Sequence, residues 1–188
     1  MFLCPRSLLM LEIITKESEL YNEERNEFYT VPSVKLQLEH SLISISQWES
    51  KWCKSFLSTP DKSNEEIVDY IKCMTINKNV SSDVYLCLSQ KNINDIVKYI
   101  EAPMTATTVY DAKKRPPSKQ IITSELIYYW MIAYQIPFEC QKWHLNRLLM
   151  LIRVCSVKNS DEKMDSKTAA QQRLALNKAR RAKMNSRG

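Results

Sequence analysis

Glycine is nearly missing from this chain. The one glycine among 188 residues is Gly188. Glycine supplies positive φ at tight turns and lets backbone approach a phosphate closely. Its scarcity excludes the P-loop and the dinucleotide fingerprint, which need several glycines at fixed spacing. It also argues against a sheet-rich fold with tight primed hairpins. Helices joined by Pro, Asn, Ser and Asp turns are expected instead. Long apolar runs are missing too, because Glu125 and Pro137 interrupt the best candidate well short of the ~18–20 residues of a membrane span. The first nine residues, MFLCPRSLL, are too short for a signal peptide. They read as a leader before a second methionine, Met10, which offers an alternative start.

Histidine is equally sparse, with only His40 and His144. Cys140 and His144 are four apart, so on the helix expected there they share a face, as metal ligands would. A closed zinc site needs four ligands, and no second pair with regular spacing is present, so a structural role is favoured for both. His40 follows Glu39 at an expected strand-to-helix junction, where hydrogen bonding is favoured over general-base catalysis. The six cysteines contain no CxxC pair and fall in apolar periodic segments. That is the pattern of free buried thiols in a reducing cytoplasm rather than of a disulfide framework. A Cys–His nucleophile pair would meet in space rather than in sequence, but nothing positive marks one. No catalytic residue, metal ligand or cofactor is assigned, and a non-enzymatic role is expected.

Charge is present but segregated. Residues 1–155 carry eighteen Lys/Arg against eighteen Asp/Glu, whereas residues 156–188 carry nine basic and three acidic side chains. The net charge of +6 therefore resides at the C-terminal end. Arg173, Lys178, Arg180, Arg181 and Lys183, with Arg187, form a basic tail. Three readings stand level: phosphate neutralisation on nucleic acid, contact with an acidic protein partner, and solubility alone.

Taken in order, Leu11–Thr15 and Glu27–Val31 are β-prone, separated by the turn-like acidic KESELYNEERN. Val34, Leu36 and Leu38 then alternate with polar neighbours at strand period. A small antiparallel sheet of two or three strands is expected. From Ser41 the period becomes helical, with Leu42, Ile45, Trp48, Trp52 and Phe56 on one face and Thr59-Pro60-Asp61 as the stop. The Trp48/Trp52/Phe56 stripe is a candidate partner groove, though aromatics so placed are more often core. Ser63 and Glu66 read as a capping box for a helix through Met74. Ser81 or Ser82 caps a short piece, and Asn92 or Asn94 caps another that stops before Pro103. Residues 104–120 are expected as a loop, with ATTVY as a candidate strand and KKR at 113–115 as solvated charge.

Thr123 or Ser124 opens a helix through Tyr134 with Glu125 in its first turn. Pro137 ends it and starts a second helix, with Phe138, Leu145, Leu148, Leu149, Ile152 and Cys155 on one face. This helical hairpin is expected to build the core. After Val157 the composition turns polar and then basic, so the tail is read as a solvated helix or disorder. The expected class is mainly α, with a small N-terminal antiparallel β element. The expected organisation is a leader (1–9), one globular domain (10–157) and a basic tail (158–188).

The phrases LQLEHSLISISQWESKW (36–52), DYIKCMT (69–75), IEAPMTATTVY (100–110), residues 121–155 and LNKARRAKMNSRG (176–188) resemble a family of tailed-bacteriophage proteins, the tail assembly chaperones. The likeness runs from Met10 to Gly188. It implies a non-enzymatic protein of the infected bacterial cytoplasm, absent from the mature virion. Its partner would be the long helical tape measure protein, with the tail tube protein as a further contact and homo-oligomers as the working form. No membrane partner is implied. Nucleic-acid binding through the tail, or a minor virion structural role, are the alternatives. Candidate binding residues are Trp48, Trp52 and Phe56 in the stripe and the five cations of the tail. The exposed edges of the 124–155 helical hairpin are further candidate grooves.

Overall fold

The N-terminal strands form one long two-stranded ribbon broken in the middle. In the computed structural model, which describes residues 10–107 and 120–159, β1 (Leu11–Ile14) pairs antiparallel with β4 (Lys35–Leu38). Nested inside that pair, β2 (Ser18–Asn22) pairs antiparallel with β3 (Glu27–Val31). The break falls at Pro32, which has no N–H for the ladder. There Thr15, 1% exposed, substitutes its own groups: its N–H donates to the Val34 carbonyl at 3.0 Å, and its Oγ1 accepts from the Val34 N–H at 2.9 Å.

The acidic segment read as a turn thus contains β2. Its alternation is real: Leu20 faces inward, while Glu19 and Tyr21 are exposed. The hairpin closes without glycine because Asn26 takes φ 54°, and Asn tolerates the left-handed region better than most residues. Scarcity of glycine therefore did not prevent the turn.

Helix α1 (Leu42–Trp52) is capped by Ser41, with Ser44 returning the bond to the cap backbone. It stops at Cys53, well before Thr59-Pro60-Asp61, because Cys53 adopts φ 51° and its N–H bonds back to the Glu49 carbonyl. Phe56 lies beyond the helix in a turn. Cys53 is exposed, contrary to the expectation that the cysteines are buried. Helix α2 (Asn64–Met74) has the Ser63/Glu66 capping box read from sequence. A 3-10 turn over Ser82–Tyr85 is capped by Ser81. Helix α3 (Gln90–Glu101) starts earlier than expected: Ser89 is the cap, and Asn92 is its reciprocal partner three residues on. The candidate strand ATTVY and the KKR patch fall largely or wholly outside the described residues.

Helix α4 (Ser124–Ala133) is capped by Thr123 as expected. The second arm of the expected helical hairpin differs. After Pro137 comes a 3-10 turn, Phe138–Lys142, and Trp143 is extended at ψ 159°. His144 makes an isolated bridge to Ser41. Only then does α5, residues 145–159, begin. The break arises because the chain satisfies tertiary partners there: the Leu145 N–H donates to the His40 carbonyl at 2.9 Å. Phe138, expected on the apolar face of one continuous helix, is 52% exposed.

Helix dominates, and the named strands are confined to residues 11–38. One core cluster draws on Ile13, Leu36 and Leu38 from the ribbon and on Leu42, Ile45 and Trp48 from α1. It continues through Tyr70 and Met74 of α2, Ile127 and Met131 of α4, and Leu145 and Leu148 of α5.

Inside the core, Glu49 is a carboxylate only 7% exposed. Its Oε1 accepts from the Phe56 N–H and its Oε2 from the Ser124 N–H, both at 2.7 Å. It therefore holds the turn after α1 against the first residue of α4, where the helix dipole favours an anion. Glu49→Ala orphans both N–H groups and is expected to cost about 2–4 kcal/mol in urea unfolding. A loss below about 0.5 kcal/mol would mean that water replaces the carboxylate. Cys53→Gly should instead stabilise by about 0.5–1 kcal/mol, since only glycine takes the left-handed cap without a Cβ penalty. An unchanged or lowered midpoint would show that Cys53 pays no such penalty.

Candidate functional site

The aromatic stripe of α1 faces the protein's own α2. Trp48 is fully buried, and its indole N–H donates to the Glu66 carbonyl at 2.9 Å. Trp52 is half-buried, and its indole N–H donates to Asp69 Oδ2 at 2.9 Å. Phe56 is also half-buried, stacked on Tyr70 with centroids 4.0 Å apart and edge-on to Trp48 at 5.2 Å. The Lys62 ammonium sits 4.4 Å from the Phe56 centroid, closing the outer side. Burial lowers its pKa, against the opposing pull of Glu66. Both indole donors are spent inside the chain; Trp48 is core and is withdrawn from the candidate partner surface, while Trp52 and Phe56 remain half-buried at the edge of the core.

Three carboxylates support this packing; of these, sequence reading gave a role only to Glu66, and only in capping. Glu66 accepts from Lys54 at 2.6 Å and from the Ser63 N–H at 2.8 Å. These bonds, led by that from Lys54, hold its pKa below the usual value. Burial pushes Asp69 up, but hydrogen bonds from Lys51 and from the Trp52 indole outweigh it, and its pKa ends lowered. Glu49 is the third. No single-helix spacing marked the roles of Glu66 and Asp69, because the tryptophans they meet lie on α1, eighteen and seventeen positions away.

The two histidines, 104 positions apart in the chain, meet in the core. Their ring centroids are 4.9 Å apart, and each residue is at most 2% exposed. His40 Nδ1 shares a hydrogen bond with the Tyr70 hydroxyl at 2.5 Å, and the His40 N–H donates to the Tyr99 hydroxyl at 3.4 Å. His144 Nε2 lies 2.9 Å from the Tyr99 carbonyl, which can only accept, so Nε2 carries the proton. Nδ1 accepts from the Asn146 N–H at 3.3 Å and so carries none. His144 is therefore a neutral ring of defined tautomer.

Burial, and then the neighbouring His144, lowers the His40 pKa to about 3. Burial also lowers that of His144, against a raising contribution from the Tyr99 carbonyl. Tyr70 is shifted upward by burial and keeps its proton. The cluster is closed to solvent, and its polar atoms are occupied by one another. Cys140 does not share a helical face with His144, because the extended Trp143 separates the 3-10 turn from α5. Among the described residues no group of three His, Cys, Asp or Glu side chains is placed to hold a metal ion.

The accessible apolar surface lies elsewhere. Ser124, Ile127 and Met131 of α4 are buried, whereas Tyr129 and Ile132 are each 62% exposed. Phe138 extends this surface, its ring 6.4 Å from that of Tyr128. On the other flank of α4, Trp130 and Tyr134 line a cleft of about 430 Å³ with Leu149, Ile152 and Arg153 of α5. This bears on the edges of the 124–155 segment singled out from sequence. Arg173, Lys178, Arg180, Arg181 and Lys183 lie outside the described residues.

Comparisons with known protein families, curated proteins and solved structures return no match.

The buried histidines make stability depend on acid in a defined window. In the unfolded chain each ring titrates near 6.5, so above that pH both states are neutral and the pair contributes no slope. Below it the unfolded chain binds protons that the native rings refuse. Stability should then fall by up to about 1.4 kcal/mol per pH unit per ring, continuing for His40 toward its native value of about 3. Urea unfolding between pH 7 and 5, above the range of the carboxylates, isolates this loss, and His40→Gln should reduce its slope. A midpoint flat across that window would refute the neutral pair.

Proposed function

We propose that this chain is a tail assembly chaperone of a tailed bacteriophage, acting in the host cytoplasm on the tape measure protein before tail tube subunits enclose it. The single observation that carries the reading is the likeness of its phrases, from Met10 to Gly188, to that family. The physical chemistry of the surface is compatible with it. A holdase for amphipathic helices needs exposed apolar surface more than an active site. Tyr129, Ile132 and Phe138 supply such a surface on and beside α4. With Trp48 buried, client contact is assigned to this outer face of α4 rather than to the α1 stripe.

Homo-oligomers would present several such faces along a long client, and the tail tube protein would displace them as the tube grows. No helix among the described residues is long and apolar enough to cross a membrane, so the reading calls for none.

Co-expression provides the test. The tape measure protein encoded with this chain should become soluble in its presence, and equal solubility without it would remove the proposal. Tyr129→Ser combined with Ile132→Asp should weaken client binding by at least about tenfold, with the unfolding midpoint little changed because both side chains are exposed. Wild-type solubilisation by that double variant would move the client site away from α4 and leave the chaperone reading intact.

A further inference from the structure

The far tip of the β2–β3 ribbon carries an unused surface of distinct chemistry. Tyr21 and Phe28 are directly opposed in register, with ring centroids 5.0 Å apart, on the face turned away from the core. Phe28 is 73% exposed, the highest value among the large apolar side chains of the described residues. The surrounding sequence is acidic: residues 17–27 hold five glutamates against Arg25 alone, and all five are exposed. Arg25 lies 3.8 Å from Glu27, so the opposing charge falls to one side of the cluster. Two adjacent ring faces rimmed by carboxylates suit a ligand that is cationic and partly apolar, since guanidinium groups bind both carboxylates and aromatic faces.

The chain itself contains such a ligand. Residues 166–187 include seven Lys/Arg and no acidic residue, with Leu174, Leu176 and Met184 interspersed. Residues 1–155 balance to zero charge, so this segment is the chain's concentrated excess of cation, and residues 17–27 are its densest run of carboxylates.

We propose that the acidic, aromatic tip of the β2–β3 ribbon docks the basic C-terminal segment, residues 166–187, of this same chain. Each exposed ion pair adds little alone. Several together over a stacked aromatic pair combine charge with apolar contact. Docking would also cover Phe28, which otherwise leaves a two-stranded ribbon with an open apolar face. The attachment would weaken as salt rises, because screening at about 0.5 M shortens the reach of exposed charges to about 4 Å. This inference is independent of the chaperone reading, which uses α4.

Carbodiimide cross-linking of the full-length, nuclease-treated protein tests it, because the reagent joins only carboxylates and amines already in contact. Mass spectrometry should find Lys167, Lys178 or Lys183 joined to glutamates of residues 17–27 at low salt, with those links lost at about 0.5 M salt. Arg180→Glu with Arg181→Glu should lower their yield by at least about fivefold, as should Phe28→Ser. Adding Glu23→Lys and Glu24→Lys to the tail reversal should restore links to the remaining glutamates. In a mixture of light and isotopically heavy chains the links should stay within one molecule, and links formed only between molecules would overturn docking within the chain. Tail lysines linked only to acids outside residues 17–27, or yields unchanged by the tail reversal, would overturn it. So would links that appear only when nucleic acid is retained.

Discussion

The backbone of residues 37–41 leaves β4 and enters α1 through the interior, so its polar groups must find partners within the protein. It finds them on most of the surrounding elements. The Gln37 carbonyl accepts from the Ile76 N–H at 2.9 Å, and the Glu39 N–H donates to the Met74 carbonyl at 2.8 Å, tying the junction to the exit of α2. The His40 N–H reaches the Tyr99 hydroxyl near the end of α3. The His40 carbonyl accepts from the Leu145 N–H at the first turn of α5. Ser41 caps α1 and bridges to His144. Moving any one of these helices would orphan a buried group on this strand-to-helix junction, at a cost of about 1–3 kcal/mol each.

The histidines belong to the same constraint. An ordinary polar ring in the core must be neutral and bonded. His144 achieves this by using both nitrogens on backbone groups, at Tyr99 and Asn146. The two rings, enclosed by Tyr70, Tyr99 and each other, are closed off from a dissolved substrate. Among the described residues, the buried polar groups at this junction join elements, while Tyr129 and Ile132 on α4 and Phe28 at the ribbon tip stay exposed.

A chain with so little glycine still needs left-handed residues at its turns. Asn26, Cys53, Asn79, Met104 and Gln135 take that role among the described residues. Two are asparagines, which tolerate the conformation, and the other three accept strain of roughly 1–2 kcal/mol each. The β2–β3 hairpin closes through a four-residue loop, residues 23–26, in which Asn26 rather than glycine takes the left-handed position. The expectation from glycine scarcity held for the class as a whole, where helix dominates.

What the sequence determined by itself was local and periodic. Ser63 was legible as a cap, and Ser81 and Thr123 each as one of two candidates, because capping is a bond between neighbours three residues apart or fewer. The core positions Leu42, Ile45 and Trp48 of α1 were legible because burial repeats at the helical period. Only the tertiary structure decided where helices stop and which surfaces remain. Cys53 ends α1 by turning left-handed, and Trp143 breaks the expected second arm of the helical hairpin because distant groups at His40 and Ser41 claim the backbone there. Sequence likewise placed Trp48, Trp52 and Phe56 on one face but carried no sign of what covers it. That answer required α2, whose Glu66 and Asp69 take the indole protons, a pairing between residues seventeen and eighteen positions apart that no single-helix periodicity encodes.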